Sequence, residues 1–131
     1  LLEVGTVLLA TATAFALSRP ELHKAVALLL EHGDEWPSVA VLLNRRDVTG
    51  SGPGFGGLGG TLRRVMLCDA ASRKEAVDAD WPSCAVLRGL RVVLGDKAQP
   101  EGRVLLEVLG EITWPPGALQ ADVDAGLWLP V

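Results

Sequence analysis

The residues Gly54-Phe55-Gly56-Gly57-Leu58-Gly59 have the spacing G-x-G-x-x-G. That spacing can cradle a pyrophosphate when a strand leads in and a helix leads out, because the helix N-terminus supplies free amides and a favourable dipole. Here the exit, Thr61-Leu62-Arg63-Arg64-Val65-Met66, reads as a strand, and no acidic residue stands where a βαβ unit would place one. The tract therefore reads as a linker, not a nucleotide site. His23 and His32 are nine residues apart, off any chelating helical spacing, so no metal site is expected. Cys68 and Cys84 make no disulfide framework and read as two buried thiols in a reducing compartment. Neither histidine follows a nucleophile elbow, so no Ser-His-acid set suggests itself. Asp122 and Asp124 read as a solvated loop, not a tuned acid/base pair. The expectation is no catalytic residue, no cofactor and no enzyme activity.

Composition points the same way. The chain has 131 residues, a net charge of −4, 49% apolar and 21% charged residues. That is enough apolar content for a packed core, with a surplus for the surface or an interface. Basic residues occur only as scattered pairs (Arg45-Arg46, Arg63-Arg64, Arg73-Lys74), which argues against nucleic acid as a partner. Residues 1–17 are apolar but carry Glu3 where a signal peptide would be basic. A membrane helix needs about 20 apolar residues, so this Val/Thr-rich stretch reads as a buried strand.

The elements that would hold these residues follow from pattern. Val4 to Leu17 reads as strand, broken near Thr11. Ser18 and Glu21 then form a capping box with Pro20 in the first turn, and Leu22, Ala25, Val26, Leu29 and Leu30 recur at helical spacing up to Gly33. This predicts one well-capped helix. Val39–Leu43, Val65–Cys68, Cys84–Leu94 and Val104–Ile112 read as extended, Trp114–Gly117 as a rigid turn, and Leu127–Val131 as an edge strand closed by Pro130. Seven of the eleven residues Gly50–Gly60 are glycine, which predicts a linker or arm without fixed structure. The fold class is α+β, mainly β. Residues 1–49 form a β-α-β segment, 50–60 a linker, and 61–131 a second β-rich domain.

Glu35-Trp36-Pro37-Ser38-Val39-Ala40-Val41-Leu42 recurs 45 residues later as Asp80-Trp81-Pro82-Ser83-Cys84-Ala85-Val86-Leu87. Duplication and coincidence both account for it. In either case Trp-Pro fixes an extended entry to an apolar strand.

From Val65 onward a series of segments resembles the lambda-type head decoration proteins of tailed bacteriophages. Val65-Met66-Leu67-Cys68-Asp69-Ala70-Ala71-Ser72-Arg73-Lys74 is similar to that family's strand into a Ser-Arg-Lys turn. Cys84-Ala85-Val86-Leu87, Val104–Ile112 with Trp114-Pro115, and Ala125–Val131 follow in the family's order, and Pro53-Gly54 to Leu58 resembles its N-terminal arm. The likeness covers about residues 53–131 and leaves the first fifty without a counterpart. It implies a small decoration-protein-like domain, with the predicted helix lying in an N-terminal extension. It further implies a homotrimeric cement protein, made in the host cytoplasm, on the outer surface of the virion. That protein would bind the major capsid protein of the expanded head and steady it against packaged DNA. Pro53, Gly54, Phe55, Leu58, Trp114 and Pro115 would make the capsid or trimer contacts, and no membrane or small-molecule substrate would be involved. Another β-rich oligomeric virion or adaptor module is the alternative, and a nucleotide-binding enzyme a more remote one.

Overall fold

The computed structural model describes residues 2–11, 19, 22–45, 52–69, 83–87, 90–94 and 104–131. Among them run β1 (Val7–Ala10), β2 (Val26–Glu31), β3 (Ser38–Leu42), β4 (Gly54–Phe55), β5 (Gly59–Asp69), β6 (Ser83–Leu87), β7 (Leu90–Leu94), β8 (Val104–Trp114), helix α1 (Ala118–Asp124) and β9 (Trp128–Pro130). The class is α+β and mainly β.

The strands form one sheet in the order β6-β7-β5-β8-β3-β2-β1-β9, antiparallel throughout; β4 alone is parallel, to β8. The long β8 joins the two halves. Its residues Val104 to Glu111 pair with β5, and Ile112 to Trp114 pair with β3. Among the described residues the two segments share one sheet: β3 lies against β8, and β1 against β9.

Strands β2 and β3 are buried on both faces. Ala27, Leu29, Ala40 and Leu42 join Leu8, Ile112, Trp114, Leu119 and Trp128 in one core. Leu28, Leu30 and Val41 turn the other way, onto Val65, Leu67 and Val108 of β5 and β8. A strand covered on both sides needs an unbroken apolar run, not an alternating one.

This explains why the predicted helix is absent. A run from Ala25 to Leu30 in which every residue is apolar satisfies a 3.6-residue period as readily as any other. The structure resolves the ambiguity at Lys24, whose φ of 54° no helix accommodates. Residues 22–24 make a turn, with Ala25 N–H donating to the Leu22 carbonyl, and β2 starts at Val26. The proposed caps Ser18 and Glu21 lie outside the described residues. Within the extended run Cys84–Leu94 lie two paired strands, β6 and β7. The echoed Ser38 and Ser83 both open strands, β3 and β6; Trp81-Pro82 lies outside the described residues.

The glycine tract is not a free arm. β4 lies beside β8, and its neighbours fill the seam where β3 and β8 part. Phe55 N–H donates to the Arg45 carbonyl (2.8 Å), Gly56 N–H to the Leu109 carbonyl (2.8 Å), and Leu42 N–H to the Gly56 carbonyl (3.0 Å). The seam closes where Gly57 crosses Gly110, backbone on backbone: a Cβ on Gly110 would stand 2.0 Å from the Gly57 carbonyl oxygen.

Asp122 and Asp124, read above as a solvated loop, lie on helix α1, and Asp122 accepts a hydrogen bond from Trp114 Nε1 at 3.1 Å. The chain then turns back and β9 seals the β1 end of the sheet. Thr11 N–H reaches the Leu127 carbonyl and Val131 N–H reaches the Val7 carbonyl. Amides alternate along a strand, so Pro130 occupies a position whose amide would face away from β1.

Candidate functional site

The residues expected to make the capsid or trimer contacts can now be placed. Gly54 is buried, Phe55 half-buried against the first core, and Pro53 exposed. Leu58 is exposed in the turn between β4 and β5. Trp114 is buried, while Pro115 beside it is exposed. These residues line a strand, a turn and a core corner. The exit from the glycine tract is strand β5, and the amides of Phe55 and Gly56 are taken by carbonyls of neighbouring strands. His23 is exposed, and its carbonyl accepts from Arg45. Cys68 is buried. Among the described residues, no three His, Cys, Asp or Glu side chains gather as a metal site would require, and no helix is long and apolar enough to cross a membrane.

The surface feature that stands apart is the loop His32-Gly33-Asp34-Glu35-Trp36-Pro37 between β2 and β3. Its base is tied by a 2.8 Å hydrogen bond between His32 Nδ1 and Ser38 Oγ, and Ser38 is fully buried at the start of β3. Its tip is tied by a ring contact. A Cβ on Gly33 would lie 2.1 Å from Trp36 Cε2 and 2.4 Å from both Cζ2 and Nε1. A point in the ring plane beyond Cε2 would be nearer to those two atoms than to Cε2, so Gly33 sits over the face of the indole. Only glycine permits this stacking. Trp36 nevertheless keeps 57% of its surface exposed.

Behind this loop the hairpin is braced at its other end. Asn44 Oδ1 accepts from Val26 N–H (3.0 Å), Asn44 Nδ2 donates to the Lys24 carbonyl (2.9 Å), and the Arg45 guanidinium donates to the His23 carbonyl. The turn ending at Lys24 and the exit from β3 are thus one unit. Nothing in the sequence marked Asn44 as functional, and Arg45 entered only as one of a scattered basic pair. The available signal for Trp36 was a Trp-Pro pair preceded by two carboxylates and a glycine, read above only as a strand entry.

The Ser38 bond should matter to the loop more than to the fold. Ser38→Ala is expected to cost about 1 kcal/mol in urea denaturation and to speed amide exchange selectively across residues 32–37. Unchanged exchange there would show that the His32–Ser38 bond does not brace the loop.

No family profile and no curated protein matches this sequence. Solved structures do match. Protein DIP2367 from Corynebacterium diphtheriae superposes with a TM-score of 0.74 at 21% identity, over 97% of this chain and 74% of its own. The AlgH protein from Pseudomonas aeruginosa (UPF0301) gives 0.66 at 18%, over 97% and 75%. The chain shares their fold.

That result overturns the likeness to phage head decoration proteins. The matching structures are bacterial proteins, and they match nearly the whole chain, including the first fifty residues that the phage likeness left out. The capsid-cement role and the place on the virion surface fall with it. The physical reason is plain in the topology. Short apolar strands and Trp-Pro turns in a given order describe many β-rich chains. What fixes this one is pairing across the sequence: the closing segment lies on β1, and the supposed arm lies between β3 and β8.

Proposed function

We propose that this chain is a non-enzymatic binding module that holds a protein partner through the β2–β3 loop, with Trp36 as its anchor. The observation that carries the reading is a tryptophan left more than half exposed on a loop tied at both base and tip. Singly exposed leucines such as Leu58, Leu105 and Leu129 are ordinary on a protein surface. A pre-positioned tryptophan is less so, since Trp is enriched among residues that dominate binding energy and loses little rotamer freedom when already fixed. Burying its open area, on the order of 100 Å², is worth ~2–3 kcal/mol.

The test is retention of a partner from cells of the source organism on the immobilised chain, followed by titration with that partner purified. Trp36→Ala should weaken the complex by about 30-fold, the equivalent of roughly 2 kcal/mol, and leave the thermal midpoint within a few degrees. Equal affinity of the wild type and Trp36→Ala for the retained partner would overturn the reading.

A further inference from the structure

We infer that the Trp36 loop recognises an arginine side chain on its partner; this rests on the reading just given and names the chemistry of the same site. One face of the indole lies on Gly33, and Trp36 keeps 57% of its surface exposed. An aromatic face is electronegative at its centre, so an open one attracts a cation, and a planar guanidinium covers it better than a compact ammonium. The two residues before the ring, Asp34 and Glu35, are both exposed, and no ion pair with either occurs among the described residues. Consecutive Cα atoms are about 3.8 Å apart, which puts Asp34 and Glu35 within about 8 Å of Trp36 along the chain, the range over which charge acts at physiological salt. Platform and charge therefore favour the same ligand group. The guanidinium would stack on the ring, and a carboxylate would accept its N–H donors. A chain of net charge −4 also repels acidic partners at long range.

The probe is dye-labelled tetra-arginine, titrated into the intact chain and followed by anisotropy. The indole Nε1–H resonance of Trp36, assigned from its loss in Trp36→Ala, is followed in parallel. Saturable binding that shifts this resonance is expected. Trp36→Ala should weaken binding about fivefold, and Asp34→Asn with Glu35→Gln should weaken it further and flatten its dependence on salt. Tetra-lysine should bind at least about threefold more weakly than tetra-arginine. Tetra-arginine binding that is indifferent to Trp36→Ala, or tetra-lysine binding of equal strength, would overturn the inference. If a native partner still depends on Trp36 while tetra-arginine does not bind, the arginine assignment falls and the binding module stands. If the native partner ignores Trp36→Ala, the binding reading itself falls.

Discussion

Gly110→Ala will destabilise the chain by at least about 4 kcal/mol, near the top of what a single substitution does. Two effects add at this position. Its φ of 90° lies where side chains are rarely tolerated. The new Cβ would also meet the Gly57 carbonyl oxygen at 2.0 Å and its carbon at 3.0 Å, both main-chain atoms with no rotamer to yield. Gly57 is itself packed closely on main chain, since a Cβ there would stand 2.4 Å from the Glu111 carbonyl carbon and oxygen. Relief would require β8 to leave either β3 or the tract beside β4, and β8 is the strand that joins both halves of the sheet. Urea denaturation checks the figure. A loss under about 1 kcal/mol would mean the two backbones do not touch at this crossing.

Trp128→Ala is expected to cost about 3–5 kcal/mol. The ring is almost wholly buried and meets Trp114 edge-on, with centroids 5.9 Å apart and planes at 80°. Truncating it opens a cavity between β1, β9 and α1, whose Leu8 and Leu119 belong to the same core. Trp114→Ala should cost a similar amount, since it also leaves Asp122 without its indole donor. The double mutant should cost less than the sum by about 0.5–1.5 kcal/mol, because the edge-to-face contact is counted in each single mutant. Additive losses in a double-mutant cycle would show that the two rings do not interact.

The strands were legible wherever a short apolar run stood between clear breaks. Val39–Leu43, Val65–Cys68 and Val104–Ile112 correspond to β3, part of β5 and part of β8. The run Ala25–Leu30 was not legible, because burial on two faces erases the period that separates helix from strand. The Gly50–Gly60 tract misled for a related reason. Glycine is chosen both where a chain is loose and where two backbones must touch, and composition does not tell these apart. α1 has no side-chain cap and no charge pattern at its ends, so nothing local announced it. The candidate site was hidden in a different way. His32 and Ser38 belong to facing strand ends, and the stacking of Trp36 on Gly33 depends on the loop's path, which no spacing rule encodes.

Pro130 carries one further consequence. A strand at the margin of a sheet ordinarily offers the next chain a ladder of donors and acceptors, which is how globular proteins seed fibrils and mispair into chains of copies. β9 is such a margin, and exposed Leu129 would favour growth there. With proline at an outward-facing position, one rung of that ladder has no donor, and a strand laid alongside would also meet the ring. Elongation is therefore disfavoured at this edge, and a partner engages the fold more readily through side chains than by adding to β9.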